Sequence, residues 1–107
     1  MWIFTTNAFL SIVDKGGDGG TLLVRGRRKG EIESVFPEAE VQETPRNDYR
    51  FRARLPRERV AQAMADLVRE LRYPNFKATV HDPARHDAYF EVWQSLYRYQ
   101  GRPSAKG

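Results

Sequence analysis

Arginine recurs at every second position in one short segment of this chain. Six arginines fall between Arg46 and Arg59, and Arg50, Arg52 and Arg54 alternate with less polar residues. Side chains on a β-strand point to opposite faces with a period of two, so these three guanidinium groups are predicted to share one face of a sheet. Guanidinium groups bind carboxylates and phosphates and stack on aromatic rings. The segment therefore predicts a contact surface for an anionic or aromatic partner.

The residues between these arginines predict the opposite face of the same strand. Tyr49, Phe51, Ala53 and Leu55 are expected to point together into a core covered by helices. RNA-recognition sheets stack bases on aromatic side chains of their exposed face, and this alternation would hide those aromatics. Nucleic acid would then be held through its phosphates, with weak sequence preference and steep salt dependence.

A second basic cluster precedes the first in the chain. Arg25 and Arg27 lie in a predicted strand, and we expect them to join the arginine face. Between the two clusters, residues 31 to 43 contain five glutamates and no lysine or arginine. The alternative interpretation is that these glutamates neutralise the arginines across neighbouring strands and leave a solvated, balanced surface, because the net charge is only +4.

The C-terminal part of the chain is rich in aromatic residues. Seven of the thirteen aromatics fall between Tyr73 and Tyr99, more than one helix stripe requires. Trp93 and Tyr97 fit that stripe and are expected to seal a core, whereas Phe90 and Tyr99 fall outside it. Because aromatic residues and arginine dominate interface hot spots, Phe90 and Tyr99 are predicted partner contacts.

Residues suited to catalysis are few and scattered. His81 and His86 are each followed by an aspartate, but five residues on a helix separate them by about 140°. Asp82 is predicted to cap a helix that starts at Pro83. The chain has no cysteine, and none of its serines lies in a nucleophile-elbow sequence. We predict a protein that is not an enzyme, with no catalytic, cofactor-binding or metal-ligating residue.

Length and composition predict one domain. The chain has 107 residues, of which 40% are hydrophobic and 30% charged, as is usual for globular domains. We expect a single domain over residues 1–100 and a flexible basic tail over residues 101–107. The sequence shows neither a signal peptide nor an apolar run of membrane-spanning length, so no membrane contact and a cytoplasmic location are expected.

The predicted elements follow the order ββαββαα. They are strands over 8–14, 21–27, 40–44 and 49–55, a short helix over 30–36, and helices over 56–72 and 83–99, with Trp2 to Thr5 as a candidate extension of the first strand. This order predicts an α+β two-layer sandwich with a mainly antiparallel four-stranded sheet covered on one face by helices. Its topology would be a permuted ferredoxin-like fold, as though the last strand had moved to the front.

Several segments together resemble a small family of bacterial proteins that has no assigned activity. The segments are Met1-Trp2-Ile3-Phe4, Asp48-Tyr49-Arg50-Phe51-Arg52-Ala53, Tyr73-Pro74-Asn75-Phe76-Lys77 and Val92-Trp93-Gln94-Ser95-Leu96-Tyr97-Arg98. The resemblance spans most of the chain and rests on aromatic and structural positions. It implies a single full-length domain and transfers no catalytic residue.

These observations together predict a small non-enzymatic binding module. The expected partner is a protein with an acidic or apolar surface, docked on the arginine face or on the aromatic C-terminal region, and a homodimer is possible through the same surfaces. Small, cysteine-free inhibitors of host defence encoded by phages, such as anti-CRISPR proteins, share this size and style. The alternative is a weakly sequence-specific nucleic-acid-binding protein that uses the arginine face.

Overall fold

The computed structural model describes residues 1–16 and 19–101, which adopt an α+β fold. The chain divides into two units, Met1–Arg72 and Tyr73–Gly107. The elements of the first unit are β1 (Trp2–Thr5), β2 (Ala8–Val13), β3 (Thr21–Gly26), α1 (Glu31–Val35), β4 (Gln42–Glu43), β5 (Phe51–Pro56) and α2 (Arg57–Arg69). The second unit has a 3₁₀ turn (Lys77–Thr79) and α3 (Pro83–Tyr99).

The strands form one open sheet in the order β1-β2-β3-β5-β4, and every neighbouring pair is antiparallel. Five strands replace the four that the sequence predicts. The extra strand arises because the chain turns at Thr6 and Asn7, so that Trp2–Thr5 pairs with Ala8–Val13 as a hairpin instead of continuing into it. The permuted ferredoxin-like order is not confirmed.

The register of the strands assigns each side chain to one of two sheet faces. Directly opposite residues of an antiparallel pair project from the same face. Val24 is opposite Ala53, which places both on the face that we call the core face. Arg25 is opposite Arg52, which places both on the other face, called here the second face. Leu23, which is opposite Arg54, is an apolar residue on the second face and is also buried.

Both helices of the first unit pack on the core face. Ile32 and Phe36 are fully buried, and Val60 and Ala63 of α2 join the same cluster. Gly26 allows the close approach of α1, since a Cβ at this position would lie 3.3 Å from Ile32 Cγ1. Their sheet partners in the cluster are Ala8, Leu10, Ile12, Val24, Phe51, Ala53 and Leu55. The predicted core face of the arginine strand is therefore confirmed from Phe51 to Leu55.

The arginine strand is shifted along the chain relative to the prediction. It begins at Phe51 and not at Tyr49, so Arg50 lies outside β5. The hydroxyl of Thr44 lies 3.2 Å from the carbonyl oxygens of both Tyr49 and Arg50, at the end of the turn that joins β4 to β5. This turn takes residues from both predicted strands, which also leaves β4 with two residues only.

The second unit confirms the predicted start of the last helix. Asp82 Oδ1 accepts a hydrogen bond from the backbone N–H of Arg85 at 3.0 Å, and Pro83 occupies the first helical position. The single domain over residues 1–100 stays a prediction. Of the predicted tail, residues 102–107 lie outside the described residues. None of the helices within the described ranges is long and apolar enough to cross a bilayer.

Candidate functional site

The arginines between residues 46 and 59 differ in their partners. Arg50, Arg57 and Arg59 form salt bridges with acidic residues outside their own segment. The bridges join Arg50 Nε to Glu43 Oε2 at 2.8 Å, Arg57 Nη2 to Asp14 Oδ2 at 2.8 Å, and Arg59 Nε to Glu38 Oε2 at 2.6 Å. The charges of these three arginines are therefore neutralised by carboxylates, as the alternative interpretation of the sequence expects.

Four other arginines of the two basic clusters donate hydrogen bonds to neutral oxygen atoms. We name Arg25, Arg27, Arg52 and Arg54 the arginine cluster. Their partners are Ser11 Oγ for Arg25 at 2.8 Å, Asp48 O for Arg27 at 2.8 Å, Tyr49 O for Arg52 at 3.5 Å and Lys15 O for Arg54 at 2.6 Å. Within residues 1–16 and 19–101, none of the four has a salt bridge to a carboxylate. The arginine cluster therefore keeps a local positive charge.

Tyr49 supports two members of the arginine cluster. The guanidinium carbons of Arg25 and Arg27 lie 4.5 and 4.1 Å from the centroid of its ring. The ring is 4% exposed but does not belong to the core cluster. Tyr49 is thus buried, as predicted, but it packs beside Arg25 and Arg27 and not in the cluster with Phe51, because it precedes β5 and the strand period does not extend to it. Cation–π contacts of this kind help to fix the positions of both guanidinium groups.

Two donors of the arginine cluster are buried without a partner. The Nε atoms of Arg25 and Arg52 are shielded from solvent and make no hydrogen bond within the described part of the chain. Buried donors are normally satisfied, and an unsatisfied one requires an explanation. An acceptor oxygen supplied by a ligand would satisfy either donor after a small movement of the side chain.

Three aromatic residues lie on the same sheet face as the arginine cluster. Trp2 is opposite Ser11, which is in turn opposite Arg25, so β1, β2 and β3 contribute one row of side chains to the second face. Phe4 lies two residues after Trp2 in β1, and Phe9 lies two residues before Ser11 in β2. Phe4 and Phe9 are opposite each other and therefore project from the same face. We name Trp2, Phe4 and Phe9 the aromatic trio.

The rings of the aromatic trio contact one another and leave Trp2 accessible. The centroids of Phe4 and Phe9 are 4.8 Å apart. Trp2 meets Phe9 edge-on, with 5.8 Å between centroids and 83° between ring planes, and Trp2 is 68% exposed. Sequence reasoning missed this trio because it looked for aromatics on the arginine strand itself. The sequence did contain a signal for it: Trp2 and Phe4 are two residues apart, as are Phe9 and Ser11, so each pair is expected to share one sheet face.

A basic cleft lies where β3 ends and β5 begins. Its volume is about 420 Å³. Arg27, Arg28 and Lys29 follow β3 directly, and Arg50 precedes β5. The lining residues are Arg27, Arg28, Lys29, Glu43, Arg50 and Phe51. The cleft thus collects four cationic side chains and one carboxylate.

Helix α3 carries a row of stacked rings. The centroids of Phe90 and Trp93 are 5.9 Å apart and those of Trp93 and Tyr97 are 5.4 Å apart, with interplanar angles of 6° and 3°. Lys77 Nζ lies 4.3 Å from the centroid of the Trp93 ring. We name Phe90, Trp93 and Tyr97 the α3 row.

The exposure of the α3 row differs from the sequence expectation. Trp93 and Tyr97, which were expected to seal a core, are 46% and 41% exposed, while Tyr89 is the buried ring of the helix. Phe90 stacks with them instead of standing apart, and Tyr99, at the last position of α3, is 87% exposed. A helical stripe predicts which side chains share a face, but it does not predict whether that face is covered.

The histidine–aspartate pairs do not form a site. Asp82 uses its carboxylate to cap α3, and His86 Nδ1 lies 3.9 Å from Asp87 Oδ1 on the same helix. No group of three or more acidic or histidine side chains in the described ranges is arranged to hold a metal ion. The absence of an enzymatic activity stays a prediction.

Comparison of the chain with protein-family models, with curated proteins and with solved structures finds no match. The function is therefore inferred from the two surfaces and the cleft themselves.

Proposed function

We propose that this protein is a non-enzymatic nucleic-acid-binding module that holds single strands on the second face of its sheet. The observation that carries the proposal is that the arginine cluster and the aromatic trio occupy the same face. Single-strand binders combine a cationic surface that follows the phosphates with aromatic rings on which bases stack. Both parts are supplied here by adjacent strands of one sheet.

The arginine cluster supplies the phosphate contacts. Arg27 and Arg54 are exposed, and their present partners are the carbonyl oxygens of Asp48 and Lys15. A phosphate that approaches them displaces no carboxylate of residues 1–16 and 19–101, and charge-assisted hydrogen bonds from guanidinium to phosphate are roughly twice as strong as neutral ones. Binding to this surface therefore gains its electrostatic term without breaking an internal ion pair.

The aromatic trio supplies the preference for single strands. Trp2 presents a largely exposed ring whose plane stands at 83° to the ring of Phe9, and the exposed part of this ring offers surface for a base. Bases in a duplex already stack on each other, whereas those of a single strand are open to an aromatic partner. Stacking is tolerant of base identity, so the sequence preference is weak.

The test compares two neighbouring arginines that differ in their partner. Arg54 belongs to the arginine cluster, whereas Arg57 is bound to Asp14. Binding of a labelled single-stranded oligonucleotide is measured by anisotropy across a salt series for the wild type, Arg54→Gln and Arg57→Gln. Four phosphate contacts predict a slope of log K against log salt of about −3, and Arg54→Gln reduces its magnitude by about 0.7. Arg57→Gln leaves the slope nearly unchanged.

Two results would overturn the proposal. One is the absence of binding at low salt by the folded wild type. The other is equal loss of affinity in Arg54→Gln and Arg57→Gln, which would mean that total charge and not the arginine cluster sets the affinity. A polyglutamate peptide serves as the competitor; if it binds as tightly as the oligonucleotide, the face is assigned to an acidic protein partner.

A protein-binding role through α3 is the second candidate, favoured by the exposure of the α3 row. The helix carries Arg85 and Arg98 against Asp87 and Glu91, hence no net charge in a chain of net charge +4. Two antiparallel copies of α3 would place Arg98 of each near the acidic residues of the other, so the partner proposed is a second copy of this chain. Regulation or inhibition of another protein, as expected from the sequence, would use the same row.

Sedimentation velocity over a concentration series tests this second candidate. The wild type is expected to form a dimer and Trp93→Ala to remain monomeric, while Tyr73→Ala, which removes a ring outside the α3 row, is expected to dimerise as the wild type does. A monomeric wild type over the whole series would exclude self-association through α3.

A further inference from the structure

The basic cleft at the end of β3 has more positive charge than a phosphate diester requires. It contains four cationic side chains, and its one carboxylate, Glu43, is paired with Arg50. Arg27 and Lys29 form no salt bridge within the described residues and bring two positive charges to a cleft of about 420 Å³. Each internal phosphate of a nucleic-acid strand carries a single negative charge, whereas a phosphomonoester carries about −1.5 to −2 near neutral pH.

We propose that this cleft binds a phosphomonoester, namely the terminal phosphate of a single strand held on the second face. This inference rests on the proposed function and adds to it the kind of strand end that is recognised. The charge of the cleft favours the doubly charged group, because the Coulomb energy grows with the product of the charges. The guanidinium groups supply hydrogen bonds in the planar geometry that suits phosphate oxygens.

Arg27 connects the cleft to the arginine cluster. Its guanidinium carbon lies 4.1 Å from the centroid of the Tyr49 ring, to which Arg25 is also bound, and the same residue lines the cleft. A strand whose internal phosphates follow the arginine cluster therefore reaches the cleft without leaving positively charged surface.

The shape of the cleft suits a chain end. The lining comes from the segments that leave β3 and enter β5, so the cleft lies at a border of the sheet and not in the middle of its face. The cleft is open to solvent and has a volume of about 420 Å³, and it is bordered by Phe51, whose side chain belongs to the core cluster. A phosphate with its attached sugar fits such a volume.

The experiment compares three oligonucleotides of one sequence, with a 5′-phosphate, with a 3′-phosphate, and with hydroxyl groups at both ends. We expect one phosphorylated form to bind about tenfold more tightly than the hydroxyl form, a difference of about 1.4 kcal/mol. The variant Lys29→Gln is expected to lose this preference and to keep the affinity for the hydroxyl form. Arg69→Gln, which removes one positive charge from α2 outside the cleft, keeps the preference. Circular dichroism confirms that both variants are folded.

The outcomes separate this inference from the proposed function. Equal binding of the three oligonucleotides overturns the terminal-phosphate subsite and leaves single-strand binding in place. If no oligonucleotide binds, the proposed function fails, and the cleft is tested with inorganic phosphate alone by amide chemical shifts of Lys29 and Gly30. Saturable shifts that are lost in Lys29→Gln then assign the cleft to a free phosphate or phosphomonoester, and unchanged spectra overturn the inference altogether.

Discussion

The second face of the sheet and the α3 row both combine aromatic rings with cations, yet they arrange them differently. On the sheet, Trp2 meets its neighbour edge-on and keeps 68% of its surface exposed. On α3, Trp93 is stacked within 6° of parallel with the rings on either side of it in the helix. A ring that already stacks on its neighbours offers mainly its edge. The comparison shows that ring orientation, more than ring number, determines which surface can receive a base.

Charge separates the two regions further. The arginine cluster makes its hydrogen bonds to carbonyl and hydroxyl oxygens, and no carboxylate of the described part of the chain lies within salt-bridge distance of it. Helix α3 carries equal numbers of arginine and acidic residues. Long-range attraction of a polyanion therefore acts on the sheet face, whereas α3 has only contact interactions to offer.

The first test has the largest expected effect and concerns the free energy of unfolding. It asks which of the two regions contributes a buried core. Phe36 is fully buried between α1 and the sheet, whereas Leu96 of α3 is 59% exposed. Phe36→Ala is expected to lower the free energy of unfolding by about 3–5 kcal/mol, because it removes a large side chain and leaves a cavity. Leu96→Ala is expected to change it by less than about 0.5 kcal/mol. Urea denaturation followed by circular dichroism measures both, and a large loss in Leu96→Ala would contradict the exposure of α3.

The two tryptophans of the chain, one in each region, provide the second test. Trp2→Ala is expected to weaken single-strand binding by about 1–3 kcal/mol, the usual contribution of one stacked base. Trp93→Ala is expected to leave this affinity unchanged, because the proposed interface is built from residues of the first unit. Oligonucleotide titrations of both variants measure the difference. In Trp93→Phe, which retains only Trp2, fluorescence should be quenched on binding; an unquenched signal on saturation would place the bases elsewhere.

The third test concerns the positioning of the α3 row by its helix cap. Asp82→Ala removes the side-chain acceptor for the N–H of Arg85 and is expected to cost about 1 kcal/mol of stability. Asp87→Ala, which removes an exposed carboxylate from the same helix, should cost less than half as much. Thermal unfolding distinguishes the two, and equal costs would mean that the cap contributes nothing beyond charge.

Some features of the fold could be predicted from the sequence because they depend only on neighbouring residues. The cap at Asp82 and the core positions Phe51, Ala53 and Leu55 follow from local rules of capping and alternation. The site was predicted in part: Arg25, Arg52 and Arg54 share one face. What could not be predicted depends on contacts between distant segments.

Three features of the site show this limit. Arg50 was assigned to the arginine face, but a salt bridge to Glu43 occupies it. The ring of Tyr49 was assigned to the core, but it lies beside Arg25 and Arg27, which come from the end of β3. Trp2 joins the face only because a turn at Thr6 and Asn7 makes a separate strand of the N-terminus. Each outcome depends on where a turn falls, and turns shift the parity of every side chain that follows.

The last test has the smallest expected effect. It concerns Arg59, which is paired with the carboxylate of Glu38, in contrast to the arginines of the arginine cluster. The hydrogen bond from Arg59 lowers the pKa of the Glu38 carboxyl below its ordinary value. A carboxyl with a lowered pKa in the folded state binds a proton less readily than in the unfolded chain. It therefore stabilises the fold at pH values above the unfolded pKa, and this contribution is lost as the pH falls through the folded pKa.

Glu38→Gln tests this sign directly. The difference in unfolding free energy between the wild type and this variant is expected to be small and positive near neutral pH, since the pair is exposed to solvent. It should shrink as the pH falls through and below the ordinary range of a glutamate carboxyl, where the wild-type carboxyl takes up its proton. Glu40→Gln, which removes a nearby carboxylate that forms no salt bridge within the described residues, is the control for the loss of one negative charge. A difference that grows on acidification would mean that Arg59 does not stabilise the ionised carboxyl, and Arg59 would then join the arginines that are available to a ligand.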